Sequence, residues 1–89
     1  MSTEPAMMLP TVHRNGTGKE ALLEQACNAL RAIRAAQEAM GNAFPNARDY
    51  YVQGPDAFER ASRQWEARID ALREIYTDLE AIAEHIADA

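Results

Sequence analysis

Two segments of this 89-residue chain carry side chains whose types and spacing suit ligand binding. The first, residues 13–19, offers His13, Asn15 and Thr17, which are hydrogen-bonding groups beside two glycines. The second lies between two helical patterns, and its candidate ligand contacts are Arg48, Asp49, Tyr50, Tyr51 and Gln53. A helix–helix turn usually takes about two to eight residues, so a longer connector with large side chains indicates binding or an interface.

The chemistry of the second segment is the more specific of the two. Arg48 offers a planar fork for a carboxylate or phosphate, Asp49 accepts hydrogen bonds, and Gln53 both donates and accepts. Tyr50 and Tyr51 are adjacent and point different ways, so one can pack inward while the other offers its face to a base or a partner side chain. The alternative is an ordered corner, in which Arg48 and Asp49 bond locally and both tyrosines plug the end of the bundle.

The first segment resembles a phosphate-binding loop, with Lys19 at a predicted helix N-terminus. The spacing of a true P-loop is absent, because Gly18 and Lys19 are followed by Glu20 and not by Ser or Thr. Thr17 and Glu20 also form a capping-box pattern, which predicts that Thr17 caps the helix. His13 has no accompanying nucleophile, so a packed or hydrogen-bonded histidine is the alternative to a base.

A first helix is predicted at about residues 18–40, ended by Gly41 and Asn42. Apolar residues at three- and four-residue steps support it: Leu22, Leu23, Ala26, Leu30, Ile33, Ala36 and Met40. A second helix is predicted at about residues 55–87, with Pro55 in the first helical position. Its apolar positions are Phe58, Ala61, Trp65, Ile69, Leu72, Ile75, Tyr76, Leu79, Ile82, Ala83 and Ile86.

These patterns predict an all-α fold, an antiparallel two-helix hairpin of residues 18–89 with a connector at 41–54 and an N-terminal arm at 1–17. The longer second helix should overhang beside the arm, where Arg14 and Lys19 would pair with its acidic end, at Asp78, Glu80 or Glu84. Its broad apolar stripe, which includes Trp65, Leu72 and Tyr76, exceeds what one helix covers. We therefore expect a homo-oligomer, a dimer or higher, that closes a helical bundle.

The length of the first helix separates the two candidate segments by about 35 Å within one chain. They cannot share a ligand there. In an antiparallel dimer the arm of one subunit can approach the connector of the other, which gives two equivalent composite sites.

Composition excludes several classes of function. The net charge is −5, and the whole acidic excess lies in the last sixteen residues, so no basic face is present for duplex nucleic acid. The single cysteine, Cys27, and the absence of a zinc-like cluster predict no disulfide, metal or cofactor. Residues 1–10 lack a basic stretch and contain two prolines, so a cytoplasmic protein without membrane association is predicted. No nucleophile–base pair is visible, and we expect no enzymatic activity.

The two segments together resemble a group of short, uncharacterised helical proteins of tailed phages and prophages. The resemblance rests on residues 11–17, which include an H-x-N-G-T motif, and on residues 45–54, which read P-N-x-R-D-Y-Y-x-Q-G. It implies a phage-encoded binding protein acting in the host cytosol, and it transfers no catalytic residues. Such proteins often counter host immunity by sequestering a nucleotide signal or by blocking a host defence protein; others are assembly factors or minor virion components.

Overall fold

A computed structural model describes residues 7–89, and these residues form an antiparallel pair of helices. Helix α1 spans Lys19–Asn42 and helix α2 spans Ala57–Ala87. Two short 3-10 turns, Ala47–Asp49 and Tyr51–Gln53, lie between them, and residues 7–89 contain no strand. The predicted all-α fold with two helices packed on each other is confirmed. Residues 1–6 of the predicted arm lie outside the described residues.

Helix α1 begins one residue later than predicted. Its N-cap is Gly18, whose backbone is extended (φ −62°, ψ 152°) and whose carbonyl accepts from the Leu22 N–H at 3.0 Å. Glycine has no side chain with which to cap, and the helix has no side-chain capping hydrogen bond. The predicted capping box is therefore wrong, because Thr17 precedes the N-cap by one residue.

Helix α1 ends at Asn42, two residues beyond the predicted last residue, 40, and within the predicted Gly41–Asn42 stop. Gly41 is helical, and the chain leaves the helix at Ala43, whose N–H donates to the Ala39 carbonyl at 3.1 Å. The Phe44 N–H donates to the Gly41 carbonyl at 3.3 Å. The intervening carbonyl, that of Met40, accepts from the indole Nε1–H of Trp65 on α2 at 2.8 Å. The last carbonyls of a helix lack partners within it, so Trp65 supplies one from the opposite helix.

Helix α2 likewise begins later than predicted, at Ala57 with Asp56 as its N-cap, so Pro55 lies in the preceding turn and not in the first helical position. The face towards α1 follows alternating four- and three-residue steps, typical of helices packed at a shallow angle. It consists of Ser62, Trp65, Ile69, Leu72, Tyr76, Leu79, Ala83 and Ile86, all half-buried or buried.

The contact between α1 and α2 thus includes three residues that the sequence predicted to need a partner beyond one helix: Trp65, Leu72 and Tyr76. Tyr76 also lies under the guanidinium of Arg34 on α1, with 5.4 Å from Cζ to the ring centroid. The large apolar side chains that α1 does not cover on α2 are instead Phe58, 36% exposed, and Ile75, 46% exposed.

Two hydrogen bonds fix the register of the hairpin. Trp65 is level with Met40 near the end of α1, and the Lys19 ammonium donates to the Ala89 carbonyl at 2.9 Å at the other end. Because α1 continues two residues past Met40, to Asn42, the first six residues of α2, about 9 Å of helix, extend beyond α1 on the connector side. The predicted overhang beside the arm is wrong, because the extra length of α2 lies at the other end. There the connector packs against the first two turns of α2.

The predicted pairing of Arg14 and Lys19 with the acidic end of α2 is also not observed. Lys19 donates to a backbone carbonyl, and Arg14 is exposed. The two ion pairs among residues 7–89 are both exposed pairs within α2, Glu59 with Arg63 and Asp70 with Arg73. Pairs of this kind contribute little to stability.

The hairpin has almost no interior. Within residues 7–89 only Ile86 is buried, at 2% exposure, and every other seam residue keeps partial contact with solvent. The radius of gyration is 18.6 Å, against about 12 Å for a compact domain of this length. Stable domains pack two layers of secondary structure around a core, and this chain supplies one layer.

Candidate functional site

Local backbone hydrogen bonds order both 3-10 turns of the connector. Asn46 begins the first turn, because its side-chain Oδ1 accepts from the Arg48 N–H at 3.1 Å and caps it. The remaining bonds follow at i to i+3 spacing: Asp49 to Asn46, Tyr50 to Ala47, Gln53 to Tyr50, Gly54 to Tyr51 and Ala57 to Gly54, at 2.9 to 3.4 Å. This long connector is thus an ordered corner and not a flexible loop.

Gly54 makes the sharp change of direction into α2. Its backbone has φ 132° and ψ 167°, a region that is essentially restricted to glycine. Gly54 is the one residue between 7 and 89 with a positive φ. The position of the connector relative to α2 therefore depends on a residue without a Cβ.

The two tyrosines point in different directions, as their adjacency predicts. Tyr50 is half-buried against α2, whereas Tyr51 is 71% exposed and its neighbour Val52 is 75% exposed. The alternative in which both tyrosines plug the bundle is therefore not what the structure contains. An ordered backbone here presents two large apolar side chains to solvent.

A shallow recess lies beneath Tyr50, between the connector and the first two turns of α2. Its volume is about 220 Å³, and its lining residues are Tyr50, Gln53, Ala57, Arg60, Ala61 and Gln64. Sequence reasoning named Tyr50 and Gln53 but missed Arg60 and Gln64. Their spacing of four residues, within two turns of the connector, is the signal that places both on this side of α2.

Arg48 and Asp49 lie on the outer side of the first 3-10 turn, and both are exposed. The ion pairs among residues 7–89 do not join them, and the hydrogen bond at Arg48 involves its backbone N–H. Neither residue lines the recess. The five predicted connector contacts thus divide between two surfaces, with Tyr50 and Gln53 at the recess and the others facing solvent.

The segment before α1 folds back on itself at a tight turn. The Gly16 N–H donates to the His13 carbonyl at 3.1 Å, and a Cβ at Gly16 would lie only 2.8 Å from Nε2 of His13. The imidazole therefore lies against Gly16, although His13 itself is exposed. Asn15 and Thr17 are exposed beside it.

Before this turn the segment contacts α2 through one hydrogen bond, between Nε2 of His85 and the Pro10 carbonyl at 2.8 Å. The His13–Thr17 turn is therefore at the acidic end of α2, and α1 separates it from the connector by about 36 Å. The structure confirms that one chain does not bring the two groups of predicted site residues together.

Other features of residues 7–89 do not form a second candidate site. A wider open groove of about 760 Å³ is lined by Asp70, Arg73, Glu74, Thr77 and Asp78, all on the exposed side of α2. No cluster of three or more His, Cys, Asp or Glu side chains within these residues is arranged to hold a metal ion. None of the described helices combines the length and the hydropathy needed to span a membrane.

Comparison with known proteins gives no family assignment. No family model matches the chain, and no similar protein was found among curated proteins or solved structures.

Proposed function

We propose that this chain is a non-enzymatic binding protein that docks a partner protein through the outer face of its connector. The contact surface, here called the outer face, consists of Arg48, Tyr51 and Val52. The observation that carries the proposal is that Tyr51 and Val52 are 71% and 75% exposed on a backbone that is ordered by its own hydrogen bonds.

The outer face has the composition of an interaction hot spot. Tyrosine and arginine are enriched among the residues that dominate protein–protein affinity. The backbone beneath them is pre-organised, so docking does not require the connector to be ordered first, which lowers the entropic cost of association. An exposed Tyr–Val pair has no structural role within the hairpin, since neither side chain packs into it.

The small size of the recess favours docking of a protein over binding of a nucleotide signal. Pockets for small ligands usually measure about 300–1,000 Å³ and enclose most of the ligand. The recess beside Tyr50 measures about 220 Å³ and is open to solvent. Arg48, the predicted phosphate contact, also lies outside it. In the phage context that the sequence resembles, the docked partner would be a host defence protein that the chain blocks.

The test is retention of bacterial host proteins on immobilised chain, with Tyr51→Ala and a matched control, Met8→Ala. Met8 is 88% exposed but lies outside the connector. We expect wild type and Met8→Ala to retain the same host protein. Calorimetry with that protein, once purified, should show that it binds Tyr51→Ala at least about tenfold more weakly than wild type. Both side chains are exposed, so stability should change by less than about 0.5 kcal/mol.

Calorimetry with cyclic oligonucleotides and adenosine-ribose derivatives completes the test. No binding heat is expected from these compounds. Heat that disappears in Arg48→Ala would overturn protein docking in favour of nucleotide sequestration. Retention that is unaffected by Tyr51→Ala would show that the outer face is not the docking surface. Recovery of the chain from purified virions, bound through the same face, would instead assign it an assembly role.

A further inference from the structure

Small side chains on α2 leave the recess beneath Tyr50 open. Ala57 and Ala61 are four residues apart and therefore on one side of the helix, and both are half-buried. Tyr50 and Gln53 form the wall of the recess on the connector side. The two methyl groups do not fill the space between connector and helix, and about 220 Å³ is left. That volume holds about seven water molecules at roughly 30 Å³ each.

The polar groups around the recess are mostly hydrogen-bond donors. Tyr50 contributes a phenol O–H, Gln53 and Gln64 each contribute an amide NH₂, and Arg60 contributes the N–H groups of its guanidinium. Arg60 is the one charged residue in the lining, which contains no carboxylate. One cation among neutral donors suits an anionic group, because hydrogen bonds to a charged acceptor are the stronger ones.

The donors of the recess are not used within the chain. No side-chain hydrogen bond among residues 7–89 involves the side chains of its four polar lining residues. Neither ion pair of these residues includes Arg60 or Asp56, one turn before it. Arg63, by contrast, donates from Nη1 to Glu59 at 2.9 Å. The guanidinium of Arg60 is therefore available to a group from outside the chain.

We propose that the recess binds the carboxylate of an acidic side chain, supplied by the partner protein that docks on the outer face. The identity of the partner rests on the proposed function, whereas the chemistry of the recess does not. The planar fork of Arg60 matches a carboxylate in a bidentate arrangement, and the amides of Gln53 and Gln64 can add single hydrogen bonds.

A side chain fits the recess better than a free anion does. The methyl groups of Ala57 and Ala61 and the ring of Tyr50 give it an apolar part, which methylene groups can contact and an inorganic anion cannot. The recess is smaller than the usual 300–1,000 Å³ of pockets for whole small molecules. It is also open on one side, so the rest of a large partner can remain outside.

The recess and the outer face are neighbours in the chain. Tyr50 precedes Tyr51, and Gln53 follows Val52. A stable protein interface covers about 800 Å² on each partner, so it extends beyond the three residues of the outer face. The partner is therefore expected to carry an Asp or Glu beside the apolar patch that receives Tyr51 and Val52.

The recess can be tested without the partner protein, by NMR titration of the isotope-labelled chain. The probes are N-acetyl-glutamate amide and N-acetyl-glutamine amide, which have nearly the same size and differ in charge. We expect the glutamate probe to shift the side-chain signals of Gln53, Arg60 and Gln64 saturably, with a Kd of about 1–10 mM. The glutamine probe should bind at least about tenfold more weakly.

Two exposed substitutions should remove this binding and leave the hairpin folded, as checked by circular dichroism. Arg60→Gln removes the cation, and Gln64→Glu places a competing carboxylate one turn from it. Arg63→Gln is the control, because it removes the same charge from a residue that does not line the recess. No saturable shifts, equal binding of both probes, or unchanged binding to Arg60→Gln would overturn the proposal. Tighter binding of inorganic phosphate at the same residues would instead assign the recess to a free anion.

The partner is tested with the host protein that wild type retains. It should bind Arg60→Gln at least about tenfold more weakly than wild type, and Arg63→Gln like wild type. Equal affinity for wild type and Arg60→Gln would show that this protein does not supply the carboxylate. Failure of the outer face is distinguishable, because Tyr51→Ala would then leave retention unchanged while the glutamate probe still binds the recess.

Discussion

At the scale of single residues, Trp65 connects the sequence to the fold most directly. Its ring lies on the seam between the helices, and its Nε1–H donates to the Met40 carbonyl at 2.8 Å. One side chain thus packs in the seam, completes the end of α1 and fixes how far the helices are shifted along each other. Burial alone would not select tryptophan here, but burial combined with this hydrogen bond does.

Trp65→Phe should keep the packing and remove the hydrogen bond. We expect the free energy of unfolding to fall by about 1–2 kcal/mol, because the Met40 carbonyl loses its partner and the seam loses part of its volume. Chemical denaturation at a fixed protein concentration measures this change. Phe58→Leu is the control, since Phe58 lies on α2 beyond the end of α1, and it should cost less than about 0.5 kcal/mol. Equal losses in the two variants would contradict the role assigned to the indole N–H.

At the scale of elements, the connector behaves as a third structural unit beside the helices. Two 3-10 turns and the Asn46 cap order its backbone, and Gly54 sets its angle to α2. Its length and aromatic residues predict an unusual segment. Its regular backbone was not predictable from helical periodicity, because each 3-10 turn spans only three residues and only the first has a side-chain cap.

Two glycine substitutions test the connector and a helix separately. Gly54→Ala should destabilise the chain by about 1–3 kcal/mol, because alanine is strained at φ 132°. Gly41→Ala should stabilise it by about 0.5–1 kcal/mol, since Gly41 is helical and a Cβ there meets nothing within 4 Å. Thermal or denaturant unfolding of the two variants under identical conditions tests both signs. Stabilisation by Gly54→Ala would mean that the connector adopts another backbone conformation in solution.

At the scale of the whole molecule, the chain is a single layer of two helices with a segment folded back over one end. The layer buries one residue fully among residues 7–89, so its stability depends on partial burial spread along the seam. The returning segment is connected to α2 by the His85–Pro10 hydrogen bond and to α1 by the chain itself. Regions with so few contacts open at low free-energy cost.

His85→Ala should therefore release the segment without unfolding the hairpin. Arg14 is the tryptic site within this segment, and its cleavage rate reports the fraction of molecules in which the segment is free. We expect cleavage after Arg14, measured by mass spectrometry, to accelerate several-fold in His85→Ala. The helical circular dichroism of this variant should be unchanged. Glu84→Ala, an exposed neighbour on the same turn, is the control. Equal cleavage rates would show that His85 does not hold the segment.

The sequence by itself determined the class and order of the elements. Apolar residues at three- and four-residue steps are a local property, and they predicted both helices to within two residues at each end. Adjacency of Tyr50 and Tyr51 was sufficient to predict that they face different ways. The 36 Å between the two candidate segments followed from the length of α1, because helical rise is fixed.

The tertiary structure decided what depends on residues distant in sequence. Only the register set by Trp65 and Met40 revealed that α2 overhangs at the connector end and that Trp65, Leu72 and Tyr76 belong to the seam. Likewise, the fold of the connector placed Arg60 and Gln64 beside Tyr50 and left Tyr51 exposed. Periodicity specifies which face of a helix is apolar, but not which neighbour covers it, and that choice arises from the relative positions of elements along their axes.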